Sequence, residues 1–177
     1  RGIADGVVRF HVLANSDSEE DQKLKLEVKD RLVDYMKDIL DGAEDVKETK
    51  KRITENQEKI CLVAEEEIQK QGYTYPVSVN LEKCYFPMKT YGDCTFPAGT
   101  YEALRVCIGK AKGRNWWCVL YPSLCFADSV NVIVPDEKKQ ELKNILTEEE
   151  YESLFDWRED DYQIRSGFLR LWRKLFA

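Results

Sequence analysis

The apolar residues of this chain change period along its length, and those changes limit the folds open to it. From Leu24 they recur at Val28, Leu32, Tyr35, Met36 and Ile39, the spacing of one helix face. A second stretch over roughly 44–70 keeps a narrower stripe of Val46, Ile53, Ile60, Ala64 and Ile68. From Val77 the period becomes two, with Val77, Val79 and Leu81 set against Ser78, Asn80 and Glu82. After Pro135 it is helical again, anchored by Leu142, Ile145 and Leu146. Helices, then a block of strands, then helices is the order of an α+β protein rather than a βαβ wind.

Local signals sharpen this order. Val7–Ala14 is rich in β-branched and aromatic residues and ends in Asn15-Ser16-Asp17-Ser18, so it reads as a strand. Ser18 with Asp21 three residues later is a variant capping box opening the first helix, and Gly42 stops it. The short turn at Asp41-Gly42 predicts two long amphipathic helices packed antiparallel over a sheet. Strands are expected at 76–81, 84–91, 101–108 and 115–121, and their spacing favours hairpins. The expectation is a mainly antiparallel sheet of four to five strands, covered by those helices and followed by C-terminal helices that break near Thr147. Residues 7–155 form a single domain on this reading. Residues 156–177 form a tail whose Ile164, Phe168, Leu171, Trp172 and Leu175 share a helix face, with Arg165, Arg170, Arg173 and Lys174 and no acid from Ile164 onward. Such a tail can fold back, lie on an anionic membrane or dock in a partner's groove.

Composition excludes several classes. With 43% hydrophobic and 11% aromatic residues the chain can fill a core, so wholesale disorder is out. A formal charge of -6 counts against nucleic acid as the main partner. The longest uncharged run, 115–127, is broken by Pro122 and falls short of the ~20 apolar residues of a spanning helix.

The chemistry-bearing residues are sparse. His11 is the single histidine, so a cysteine nucleophile has one imidazole base to use, and Cys118 after Trp116-Trp117 is the candidate. Asp128 or Asn15 could orient that base; the alternative is a buried strand cysteine, or half of a disulfide, beside a packed histidine. No Cys-x-x-Cys pair and no second histidine stand ready for a metal. Asp17, Glu19 and Asp21 alternate like the start of a calcium loop, but its glycine and closing glutamate positions hold Gln22 and Val28. No glycine-rich phosphate cradle or nucleophile elbow is present. No metal and no cofactor are expected. In a strand the adjacent Trp116 and Trp117 face opposite sides, which makes one of them either an interface anchor or a second core residue.

Four segments in order resemble the stage II sporulation protein R family. They are Arg9–Ser18 with Asp21-Gln22, Phe86–Asp93, Phe96–Arg105, and Gly113–Pro122 closed by Leu124-Cys125-Phe126. The resemblance implies a non-enzymatic signalling protein of endospore formation, secreted from the forespore into the space between the forespore and mother-cell membranes. Its implied partner is a membrane-embedded aspartic protease, which it activates to process the precursor of sigma E. The catalytic aspartates then belong to that partner, and a signal segment is expected to precede Arg1. Partner contacts are expected at Asn15, Ser16, Asp17, Ser18 and Asp21, at the turn of Tyr91, Gly92 and Asp93, and at Trp116 and Trp117. Cys118 and Cys125 lie inside the resemblance and are expected to pair around Pro122 if the compartment is oxidising. The competing reading is a cysteine-type hydrolase acting on cell-wall peptide through Cys118 and His11. The basic tail adds a possible membrane contact to either reading.

Overall fold

The computed structural model describes residues 2–125 and 133–155. In chain order the elements are α1 (Ile3–Gly6), β1 (Val8–Leu13), α2 (Glu19–Leu40), α3 (Val46–Glu55), α4 (Gln57–Lys70), β2 (Val77–Phe86), β3 (Lys89–Tyr91), β4 (Cys94–Phe96), β5 (Gly99–Ile108), β6 (Asn115–Tyr121), α5 (Asp136–Ile145) and α6 (Glu148–Phe155). The class is α+β, as the changes of period indicate. The tail over 156–177 lies outside the described residues.

The main sheet has the order β2-β5-β1-β6. β2 runs antiparallel to β5 over its whole length, from Val77 opposite Ile108 to Phe86 opposite Gly99. β1 is antiparallel to β6 but parallel to β5, with Phe10 beside Leu104 and Val12 beside Val106. This parallel pair departs from the hairpin expectation: β5 and β6 are successive in the chain, yet β1 lies between them. Helices α2–α4 make it possible by carrying the chain from the central strand across one face to the far edge, where β2 begins. Every residue of β1 is buried, Arg9 and His11 included, because the sheet is covered on both faces.

The sheet separates two apolar layers. On one face Val8, Phe10, Val12, Leu104 and Val106 meet Val28, Leu32 and Met36 of α2, Ile53 of α3, and Ile60 and Ala64 of α4. On the other, Val7, Tyr101, Ala103 and Val119 meet Cys94 and Phe96 of the β3–β4 hairpin, together with Leu142 of α5 and Leu154 of α6.

Two expected elements are divided. The second long helix is split at Asn56, whose backbone (φ -107°, ψ 8°) ends α3 and opens α4. The strands expected over 76–81 and 84–91 join into one, β2, which runs on to Phe86 and stops because Pro87 has no N–H to continue a ladder, leaving 89–91 as a separate strand. The chain then turns at Gly92 (φ +59°) into a separate two-stranded sheet. The break near Thr147 occurs as expected. Thr147 Oγ1 accepts the Glu150 N–H at 3.3 Å and Glu150 Oε2 accepts the Thr147 N–H at 2.9 Å, a reciprocal cap on α6.

Candidate functional site

The segments expected to carry function meet in three connected places. The first is the corner where β1 ends. Asn15 Nδ2 and Ser16 Oγ both donate to Asp21 Oδ2, at 2.8 and 2.5 Å, and the Asp21 N–H donates to Ser18 Oγ at 3.2 Å. Burial pushes the Asp21 carboxyl up, but bonds from Ser16, Asn15, Tyr75 and Ser18 outweigh it and hold the group below the ordinary aspartate value. The same loop grips the β5–β6 turn. Asn15 Oδ1 accepts the Lys110 N–H at 3.0 Å, and Asp17 Oδ1 accepts the Arg114 N–H at 2.7 Å. Gly113 permits this closeness, since a Cβ there would lie 2.1 Å from the Ser16 carbonyl oxygen. Asn15, Ser16, Ser18 and Asp21 thus direct their polar groups inward, while Asp17 keeps an exposed side chain.

The second place is built around Arg9, a fully buried cation with no carboxylate partner among the described residues. Its guanidinium carbon stands 4.5 Å from the ring centre of Phe86, 4.9 Å from Tyr101, 5.1 Å from Phe96 and 5.7 Å from Tyr91. Four ring faces supply the negative potential that an acid otherwise would. Arg9 Nε donates to the Cys118 carbonyl at 3.2 Å and Nη2 to the Tyr91 hydroxyl at 3.0 Å. Arg9 therefore ties the β3–β4 hairpin to β6. Nothing in the sequence analysis singled it out, although a lone charge inside the apolar run of Val7–Ala14 is a usable signal.

The third is a groove of about 760 Å³ between α2 and the β3–β4 turn, running past the outer edge of β6. Tyr91, Gly92, Trp116 and Trp117 all line it, with Leu26 and Val33 of α2 opposite and Cys118, Cys125 and Ile133 nearby. The two tryptophans do face opposite sides of the sheet. Trp116 packs edge-on to Phe10 at 5.6 Å with Lys29 Nζ 5.2 Å from its ring centre. Trp117 stacks on His11 at 5.0 Å and meets Phe86 edge-on at 4.8 Å. Both reach one groove because β6 is an edge strand, and the groove wraps that edge. Asp93 points away, where its carboxylate accepts the Val134 N–H at 2.8 Å and Lys139 Nζ at 2.5 Å, fixing the hairpin to the approach of α5. Burial raises the Asp93 carboxyl, but Lys139 and the backbone bonds bring it below its usual value.

The hydrolase pair is not assembled. Cys118 is joined to Cys125 in a disulfide with a Cα–Cα distance of 5.6 Å, so it carries no free thiolate. Opposite Cys118 stands Phe10, whereas His11 is opposite Trp117 and projects from the other face. Burial, with Arg105 and Arg9 adding to it against Glu82, pushes the His11 pKa down to about 4, which keeps the ring neutral. Among the described residues no cluster of His, Cys, Asp or Glu has the proximity to hold a metal. No helix among them is long and apolar enough to cross a membrane.

Comparisons with known proteins show the family of this chain. The family described as Stage II sporulation protein R (spore_II_R) matches residues 4–131. A protein of Bacillus subtilis (strain 168) named Stage II sporulation protein R is 36% identical over 157 residues, spanning 86% of this chain and 68% of that protein. No solved structure matches. The corner, the Arg9 cage and the edge groove all lie within the matched span apart from the 133–135 rim, and the chain belongs to the stage II sporulation protein R family.

Proposed function

We propose that this chain is a secreted signalling ligand of endospore formation. It acts in the space between the forespore and mother-cell membranes, where it activates a membrane-embedded aspartic protease that processes the precursor of sigma E. The chain contributes a docking surface, and the catalytic aspartates are the partner's. The observation that carries this reading is the edge groove, in which Tyr91, Gly92, Trp116 and Trp117 come together from segments far apart in the chain. Of the four large hydrophobic residues exposed among the described residues, Leu26 (44%) and Ile133 (61%) stand on its rim. Aromatic residues ringed by exposed apolar ones make a usual anchor for a protein partner. Family membership supports the sporulation setting, and one disulfide fits an oxidising compartment outside the cytosol. The basic residues Arg165, Arg170, Arg173 and Lys174 support a contact between the tail and an anionic membrane surface. At the Asn15–Asp21 corner the partner would meet Asp17 and Ser18, which are exposed.

The test alters the groove rim without touching the core. Leu26→Lys and Ile133→Asp, singly and together, should leave the melting temperature within a few degrees of the parent's, because both side chains are already solvated. Capture of the intact chain by the protease's extracytoplasmic part should fall roughly 30-fold or more in the double variant, the loss of one hot spot. Processing of the sigma E precursor in sporulating cells should fall with it. Full capture and full processing by the folded double variant would remove the groove from consideration.

A further inference from the structure

We propose that the Cys118–Cys125 disulfide is a redox switch: oxidised, it holds the edge groove in its partner-ready shape, and reduced, it releases the groove wall while the domain stays folded. This rests on the reading of the groove as the docking face, although the switch itself is measurable without any partner. Both cysteines line the groove, Cys118 nearly buried (4% exposed) and Cys125 partly open to reagents. The turn between them crosses the edge of the sheet. The Leu124 and Cys125 N–H groups both donate to the Val119 carbonyl, each at 3.1 Å. Leu124 packs into one apolar layer and Cys125 against the other, so the bridge fixes how the chain passes from layer to layer beside Trp116 and Trp117.

The bond suits a local role better than a global one. Its cysteines are seven positions apart, and a bridge across so short a loop removes less freedom from the unfolded chain than one closing a long loop. The other four cysteines, Cys61, Cys84, Cys94 and Cys107, stay unpaired. Burial pushes the Cys84 thiol up to about 11 and the Cys94 thiol up to about 12, so neither forms a thiolate near neutral pH.

The chemistry is a two-electron exchange with a dithiol. A thiolate of the reductant attacks the exposed Cys125 sulfur, the Cys118–Cys125 bond breaks, and Cys118 leaves as a thiolate that takes up a proton. The reductant's second thiolate then attacks its own sulfur in the mixed disulfide, releasing Cys125 as a thiolate that is protonated in turn. The chain ends with two thiols and the reductant with one disulfide. Oxidation is the reverse, with a disulfide oxidoreductase or a low-molecular-weight disulfide accepting the two electrons.

The experiment uses the full chain oxidised, reduced by excess dithiol, and as the Cys118→Ser/Cys125→Ser double variant. In the reduced and double-variant forms, amide exchange at Leu124 and Cys125 should quicken by about tenfold or more, while Phe10 and Val12 of β1 keep their protection. Capture by the protease's extracytoplasmic part should fall by about tenfold in both forms and return on reoxidation in the parent alone. Unchanged exchange at Leu124 and Cys125 overturns the switch, and so does loss of protection across β1, which would make the bridge a global staple. If the oxidised chain is not captured either, the docking reading fails, and the exchange data alone still decide whether the bridge sets the groove.

Discussion

Gly113→Ala should be among the most damaging single-methyl additions this chain can receive, because the β1 corner closes on a spot with no room for a side chain. The new Cβ would sit 2.1 Å from the Ser16 carbonyl oxygen, 2.5 Å from the Ser16 carbonyl carbon and 2.9 Å from the Ala14 Cβ. Two of those neighbours are backbone, so relief requires the β5–β6 turn to move by roughly 1 Å away from the loop. That movement breaks three hydrogen bonds. They run from the Gly113 N–H to the Ala14 carbonyl (2.9 Å), from the Arg114 N–H to Asp17 Oδ1 (2.7 Å), and from Lys25 Nζ to the Arg114 carbonyl (3.0 Å). At about 1 kcal/mol each, with about 1–3 kcal/mol for overpacking, the cost is about 4–6 kcal/mol. Domains of this size hold only about 5–15 kcal/mol in total. Gly42→Ala is the matched control. Its φ of +67° is strained for alanine, but nothing lies within 4 Å of the added carbon, so it costs about 1–2 kcal/mol. Urea unfolding at neutral pH separates the two: with a slope of about 2 kcal/mol per molar, the midpoint falls by roughly 2–3 M for Gly113→Ala and below ~1 M for Gly42→Ala. Equal midpoint shifts with unchanged slopes would refute the steric account of the corner.

Acid should loosen the same corner and, separately, the seat of the β3–β4 hairpin. Asp21 and Asp93 both titrate below their ordinary value when folded, so on acidification the unfolded chain takes up protons first. Their stabilisation is complete above the ordinary aspartate range and is lost as pH falls through it and on through the lowered folded values. Asp21→Asn should therefore cost about 2 kcal/mol at neutral pH and show a shallower decline between about pH 5 and pH 3, measured by denaturation at each pH; a curve parallel to the parent's contradicts this. At Arg9, lysine should destabilise more than methionine. An ammonium is a compact, strongly hydrated charge that cannot present a planar fork to Cys118, Tyr91 and four rings, whereas methionine leaves no buried charge behind. Calorimetry should give Arg9→Met a loss of about 1–3 kcal/mol and Arg9→Lys a larger one, and the reverse order would remove the cage's dependence on the guanidinium.

Local structure was legible in this chain wherever a residue's own chemistry decides it. The Ser18 cap, the Gly42 stop, the Thr147 box and the opposed faces of Trp116 and Trp117 each depend on a few neighbouring residues and occur as expected. Pairing was less legible. Nothing local in Val8–Leu13 says which strands will flank it, because a strand buried on both faces carries the same side chains whether its neighbours are parallel or not. The split at Asn56 was hidden because the apolar stripe continues across it from Ile53 to Ile60. The Arg9 cage was hidden for another reason: its rings come from β2, β3, β4 and β5, and only the tertiary fold brings them to one point.

The central position of β1 also sets the order in which the sheet can close. Its partners Leu104 and Cys118 lie about a hundred residues further along, so Phe10 gains neither neighbour until about two thirds of the described chain has been made. Contacts that distant in sequence close slowly, because the loop entropy is lost before any pairing repays it. Meanwhile Val8–Leu13 presents a strand with two unpaired edges, the kind of segment that aggregates when left alone. A chain cut short before Asn115 would retain α2–α4 and β2–β5 yet leave β1 open along one side.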